Sequence, residues 1–390
     1  MTEGIITSLL DTDLYKFTMM QCILHHFPST QVAYRFKCRK AIKLGGLSNV
    51  IQQQITALCQ LRFQEDELDY LASLSFFKPD FIAYLRDFQL DAQQVNVSVV
   101  QDELELMIEG SWLETILFEV PILAIISESY YQENFPSNNL KVAQDRLQQK
   151  IDFLNNPAYE ALRFSDFGTR RRFSKSWQQS VLLTLKQQLP IQCSGTSNVF
   201  FAKQMNLPPI GTMAHEYLQA FQVLAPELIG SQHFALSLWL KEYEDKLGIA
   251  LTDVLTMDIF LQEFDKTLAT RYAGLRQDSG DPIVWGEKAI QHYLRLGIDP
   301  KQKTFVFSDG LNFAKMVEIF NYFKDKCQPY FGIGTNLTND VGYEPLDIVI
   351  KMTQTDHRPV IKISDSPGKI ISEDEDYLLY VKKVFQLQDL

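Results

Sequence analysis

The chain has 390 residues, of which 46% are hydrophobic and 22% charged, with a net charge of −11. That is the balance of an ordinary folded protein large enough for one big domain plus a smaller one. The acidic balance argues against nucleic acid as the main partner, and no apolar run is long enough and uncharged enough to span a membrane.

In chain order, residues 1 to about 130 mix alternating runs, 31–39 and 95–108, with helical runs over 49–61 and 66–74, the pattern of a compact α+β unit. The opening residues MTEGIITSLLDTD carry acids and no basic region ahead of an apolar stretch, so no signal peptide is expected. The five cysteines show neither metal spacing nor a CxxC pair, and a reducing cytoplasm is the expected compartment. The most apolar stretch, 112–127, is interrupted by Glu114, Glu119 and Pro121 and reads as a buried helix followed by an extended segment.

From about Leu140 the pattern changes. An amphipathic helix over 143–154 precedes short apolar strands, clearest at 303–308, 330–332 and 347–352, with weaker ones at 163–167 and 248–252. Helices over 282–296 and 312–323 fall between them. Such alternation implies a parallel sheet, whose strand carboxyl ends carry the chemistry. Polar residues follow these strands directly: Asp166, Asp253, Asp309 and the pair Gly334–Thr335. The tail, DIVIKM, a turn at 356–358 and PVIKIS, reads as a β-hairpin returning to the N-terminal unit.

Several segments have the make-up of a phosphate-handling site. In GTMAHEYLQAF, His215 sits just past a Pro-Pro-Ile-Gly turn where a helix is expected to begin, with Thr212 offering a cap. A helix N-terminus disfavours an imidazolium and welcomes an anion, which suits a histidine phosphorylated during turnover. In FSDFGTRRRFS, three successive arginines follow a strand and a glycine, and at most two can face a ligand. In LRQDSGDP, Arg276 and Asp278 precede a helix opening with Pro282, and Asp278 suits ribose hydroxyls or hydrated Mg²⁺. FSDGLN and FGIGTNLT are strand and glycine-turn loops with backbone N–H groups suited to phosphate. In LLDTDLYK, Tyr15 could stack on a flat ring. There is no P-loop, no GxGxxG after a strand, and no histidine spacing for catalytic zinc.

These segments, together with WLETILFEVPILAIISE, GTSN at 195–198, GIALTDVLTMD and KISDSPGK, occur in an order that closely resembles the nicotinate phosphoribosyltransferases. The resemblance implies an α/β fold: an irregular βα barrel of type II phosphoribosyltransferases with a smaller α+β domain built from both chain ends. The domains expected are 1–130 with the returning hairpin 345–390, and a barrel over 131–344. It implies transfer of the phosphoribosyl group of 5-phosphoribosyl-1-pyrophosphate to nicotinate, giving nicotinate mononucleotide and pyrophosphate, with ATP hydrolysis coupled and Mg²⁺ assisting.

By motif, His215 matches the histidine that ATP phosphorylates. Phe167 matches the aromatic on one face of the pyridine ring, and Tyr15 the tyrosine that a partner subunit places on the other, which implies a homodimer. Arg170 and Arg276 match arginines near the nicotinate carboxylate and the phosphoribosyl group, and Asp278 an acid near the ribose. Gly310, Gly334 and Thr335 match the 5′-phosphate cradle. Asp253 and Asp309 are expected to orient His215 or to bind Mg²⁺. Ser197 stands where nicotinamide-using relatives carry an acid, and its hydroxyl would favour nicotinate. Two readings compete: a decarboxylating quinolinate enzyme, which needs more cationic residues and no such histidine, and a non-catalytic nucleotide-binding protein on the same scaffold.

Overall fold

A computed structural model describes residues 4–135, 140–366 and 374–387. The chain forms two compact units, one of Met1–Ser29, Tyr34–Gly211 and Ile333–Lys351, the other of Thr30–Ala33, Thr212–Gly332 and Met352–Leu390. The expected run 31–39 is a strand, β1 (Gln31–Cys38).

In the first unit the run 95–108 is two strands, β2 (Val95–Val100) and β3 (Glu103–Ser111), paired antiparallel from Val95↔Ile108 to Val100↔Glu103. Gln101 and Asp102 join them with φ of 52° and 68°, the left-handed pair of a type I′ turn, whose twist matches that of the strands. On β3 the alternate residues Leu104, Leu106 and Ile108 are buried. The helices Ser48–Leu58 and Glu65–Ser73 match the expected ones.

One expectation fails at Pro121. The chain makes a single turn, Trp112–Thr115, and then a helix Glu119–Asn134 with Pro121 inside its first turn, instead of a helix followed by an extended segment. Proline is tolerated there because a first-turn N–H has no intrahelical partner to lose. The helix is buried on every side from Val120 to Ser129. Glu119 pairs with Lys16 at 2.6 Å, so two charges in an apolar setting neutralise each other. Further on, β4 (Phe164–Asp166) and β5 (Cys193–Thr196) pair in parallel and are joined by the helix Lys175–Gln188, whose first turn is capped by Ser174.

In the second unit β6 (Ile249–Leu251), β7 (Gly274–Gln277), β8 (Thr304–Phe307) and β9 (Gln328–Ile333) pair in parallel, in register Ile249↔Gly274, Gly274↔Thr304 and Thr304↔Gln328. The helices Pro282–Arg295 and Phe313–Phe323 make crossovers. Sequence pattern leaves β7 in a loop because Arg276 and Gln277 break its apolar run. Gln277 closes the strand by donating from Nε2 to the carbonyls of Ser279 and Gly280, both at 3.0 Å.

The tail hairpin is shorter than PVIKIS suggests: β10 (Ile348–Thr355) pairs with a two-residue β11 (Arg358–Pro359). Beyond it the Ile363 N–H donates to Val254 O at 2.7 Å and draws the chain off toward the end of β6. Among the described residues no helix is long and apolar enough to cross a membrane.

Candidate active site

In the second unit the carboxyl ends of β6, β7 and β8 meet the start of a helix. That helix is His215–Leu224, and its N-cap residue is Ala214, which supplies no capping side chain. Thr212 is not the cap: its hydroxyl donates to Ile249 O at 2.8 Å and ties the loop to β6. His215 is thus the first helical residue, its side chain 22% exposed.

Its Nε2 lies 3.0 Å from Asp253 Oδ1, 3.5 Å from Asp278 Oδ2 and 2.7 Å from Lys362 Nζ. Asp253 follows β6 and is 1% exposed, and its Oδ2 meets Lys362 Nζ at 2.8 Å and accepts from Ser279 Oγ at 2.7 Å. Asp278 follows β7, and its Oδ1 accepts from Ser308 Oγ, at the end of β8, at 2.9 Å.

Burial and the nearby Lys362 ammonium hold the His215 imidazole below its usual pKa, against the pull of Asp253 and Asp278. At neutral pH the ring is therefore uncharged and keeps a lone pair. Burial alone would raise the Asp253 carboxyl, but Lys362 and His215 overcome it and keep Asp253 well below the usual carboxylate range. A third acid, Asp365, accepts from the Met257 N–H at 3.0 Å to each of its oxygens, and burial, seconded by Asp253, pushes it up to about 6.

Arg276, half-buried on β7, keeps Nε buried without a hydrogen-bond partner among the described residues, an arrangement that invites an anion. Asp309 and Gly310 form the turn after β8. Gly310 has φ 58° and open space where a Cβ would stand.

His215, Asp253 and Asp278 present one ligand atom each within 4.8 Å of one another, a spacing that could hold a metal ion. The Lys362 ammonium already contacts two of the three, so that trio does not suit a second cation. Asp278 fits better alone, because Mg²⁺ characteristically takes one or two carboxylates together with substrate phosphates.

The first unit carries a second group. The Phe167 N–H, just past β4, donates to Ile333 O at 2.8 Å, and a Cβ on Gly334 would stand 3.3 Å from Phe167 O. Thr335 opens the short turn Thr335–Thr338.

The three arginines separate as their directions require. Arg172 is fully buried on Asp11, at 2.6 and 3.0 Å, and on Glu128 at 2.7 Å. Arg171 donates to Ile348 O at 2.9 Å and pairs with Asp347 at 3.0 Å. Arg170 lies 3.6 Å from Glu119 and remains 44% exposed, the member of the run with most reach toward a ligand.

Ser197 Oγ donates to Asp13 Oδ1 at 2.7 Å, which commits its one hydrogen to a carboxyl that burial raises. Tyr15 is 8% exposed, and Gly211 admits it closely, since a Cβ there would stand 3.3 Å from the Tyr15 N. Asp166 accepts from the Gly168 N–H, Gln178 and Thr196 and is still pushed up to about 6 by burial.

The model of the nicotinate phosphoribosyltransferase (NAPRTase) family matches residues 162–389, and that of its N-terminal domain matches residues 10–127. The chain belongs to the nicotinate phosphoribosyltransferase family. Curated nicotinate phosphoribosyltransferases of Acidovorax sp. (strain JS42) and Cupriavidus necator are each 49% identical to it, over 98% of this chain and 99% of theirs. Among solved structures, the nicotinate phosphoribosyltransferase of Vibrio cholerae superposes with a TM-score of 0.95 at 41% identity, covering 100% of this chain and 96% of that one. That of Porphyromonas gingivalis gives a TM-score of 0.92 at 34% identity, covering 98% and 100%. The α/β fold expected from sequence is thus the fold of this family.

Lys362 against His215, Ser279 on Asp253, Ser308 on Asp278 and Asp365 beside Ser279 are polar residues of this group to which the motifs gave no role. The motif KISDSPGK contains Lys362 and Asp365, and its spacing offered the one signal that could have found them. Its last three residues, 367–369, lie outside the described residues.

Proposed function

We propose that this protein joins nicotinate to 5-phosphoribosyl-1-pyrophosphate, releasing nicotinate mononucleotide and pyrophosphate, and that ATP drives the reaction by phosphorylating His215. The observation that carries the ATP coupling is a neutral, partly exposed histidine at a helix start, with one ring nitrogen against a buried aspartate. In the phosphorylation step a ring nitrogen of His215 attacks the terminal phosphorus of ATP, and the bond from that phosphorus to ADP breaks. Asp253 holds the ring and stabilises the positive charge that the attack builds on it. The helix start favours the phosphate's negative charge.

Arg170 and Arg276 are assigned to the nicotinate carboxylate and the phosphoribosyl group, and Asp278 to the ribose. Phe167 and Tyr15 cover the pyridine ring. Gly310, Gly334 and Thr335 take the 5′-phosphate, and Ser197 favours nicotinate over nicotinamide because it carries no charge. When bound, Mg²⁺ neutralises phosphate charge; Asp278 is the residue of the His215 group that suits it, and Asp309 is the other candidate. Displacement at the anomeric carbon passes through an oxocarbenium-like state, and the arginines hold nicotinate with its ring nitrogen in line with that carbon.

A homodimer sharing Tyr15 predicts that a mixture of Tyr15→Ala and His215→Ala subunits regains activity that neither variant has alone. The phosphorylation is tested by incubating the protein with ATP carrying a labelled terminal phosphate. Acid-labile label on the wild type and none on His215→Asn supports the reading. Equal labelling of both proteins, or of neither, overturns it.

A further inference from the structure

Lys362 Nζ stands 2.7 Å from His215 Nε2 and 2.8 Å from Asp253 Oδ2, while the same Nε2 lies 3.0 Å from Asp253 Oδ1. A nitrogen of neutral imidazole either donates or accepts a hydrogen bond; an ammonium only donates, and a carboxylate only accepts. The two short contacts of Nε2 therefore call for opposite protonation of one atom. If Lys362 donates to Nε2, the ring proton sits on Nδ1. If Nε2 carries the proton and donates it to Asp253, that N–H crowds an ammonium.

Geometry separates the two. The lysine contact is the shorter, and the side chains of His215, Lys362 and Asp253 are only 22%, 13% and 1% exposed, so solvent screens the crowding poorly. Asp253 does not depend on the ring proton, because its Oδ2 already accepts from Ser279 Oγ at 2.7 Å and from Lys362.

We infer that Lys362 is a positioning residue that holds His215 in the Nδ1–H tautomer at rest and releases it when a polyphosphate anion draws the ammonium away. The inference deepens the reading of His215 as phosphoryl acceptor and rests on it for its functional meaning. In the held state neither ring nitrogen offers a lone pair: that of Nε2 is taken by Lys362, and Nδ1 carries the proton. On release Nε2 takes a proton from water and donates it to Asp253, while Nδ1 returns one to water. The proton count and ring charge are unchanged, and Nδ1 is left with an uncovered lone pair. Phosphorylation thereby waits on the arrival of phosphate groups.

The test is long-range ¹H–¹⁵N correlation NMR on protein labelled at histidine, with the His215 signals assigned by their absence from His215→Asn. Resting wild type is expected to show Nδ1–H with an unprotonated Nε2, and Lys362→Met is expected to reverse this. Saturating wild type with inorganic pyrophosphate, its binding followed by ³¹P line broadening, is expected to reverse it too. Nε2–H in the resting wild type, a measurement that needs no variant to fold, overturns the hold, as does one tautomer common to wild type and Lys362→Met. A tautomer unmoved by bound pyrophosphate overturns the release. Failure of ATP to label His215 would instead overturn the phosphohistidine reading while leaving these tautomer results to stand on their own.

Discussion

Replacing Arg172 by methionine probes the charge network of the first unit most severely. The guanidinium is 0% exposed between Asp11, also 0%, and Glu128, 5%. Arg172→Met strands two buried carboxylates, and breaking a buried pair this way costs roughly 3–5 kcal/mol. Two contacts soften the loss. Lys175 remains 3.1 Å from Asp11, and its N–H donates to Glu128 at 3.0 Å. We therefore expect a loss near the lower end, about 3 kcal/mol at pH 7.

The pH dependence follows from Asp11. Burial alone would raise its carboxyl, but Arg172 and Lys175 bring it down to about 2 from 3.8. A depressed carboxyl contributes stability that is present above pH 3.8 and lost as pH falls toward 2. In Arg172→Met burial is no longer offset by the guanidinium, so the stranded carboxyl protonates before Asp11 does in the wild type, and the gap should narrow as pH falls from 7 toward 2. Urea unfolding followed by tryptophan fluorescence, to which the buried Trp177, five residues beyond Arg172, contributes, reads both effects. A loss below about 1 kcal/mol at pH 7, or a gap that stays constant with pH, would refute the argument.

Other consequences are as specific. Gly274→Ala places a Cβ 1.8 Å from Thr304 O, a backbone atom of the paired strand, and should destabilise the second unit by about 3 kcal/mol in the same unfolding assay. Asp166 is raised by burial to about 6 from 3.8, so its ionisation costs stability as pH climbs through that window. The stability of wild type minus that of Asp166→Asn should therefore be larger at pH 4 than at pH 7, by about 2 kcal/mol, and a difference independent of pH would contradict this. Asp253→Asn keeps the side-chain size but loses the charge facing His215, and should slow labelling of the protein by ATP at least about 100-fold. Chelating Mg²⁺ should abolish product formation and excess Mg²⁺ should restore it, while activity indifferent to chelation would remove the metal from the account.

Much of the candidate group of the second unit was legible in the sequence. A histidine after a Pro–Gly turn marked the helix start, and Asp253 and Asp309 stood after recognisable apolar strands. Lys362 was hidden because PVIKIS alternates like a strand, and Asp365 because it stands just past that run. Its apolar members are buried for another reason, the path beside Val254, and that path carries Lys362 to His215. The arginine run showed the opposite limit. Spacing alone says that 170, 171 and 172 diverge, but only the positions of Asp11, Glu128 and Asp347 decide which of them is structural. Pro121 misled because its cost depends on its place in a helix, and that place is set by the turn at Trp112–Thr115. Strand β7 was lost to its own polar residues, which serve its end and the site.

The most direct test of the whole account measures nicotinate mononucleotide and pyrophosphate formed from nicotinate and 5-phosphoribosyl-1-pyrophosphate, with and without ATP, by wild type and by His215→Ala. The account predicts product from the wild type, increased by ATP, with no ATP-dependent increase in the variant. Product from nicotinamide or quinolinate and none from nicotinate, or an equal ATP effect in both proteins, would contradict it.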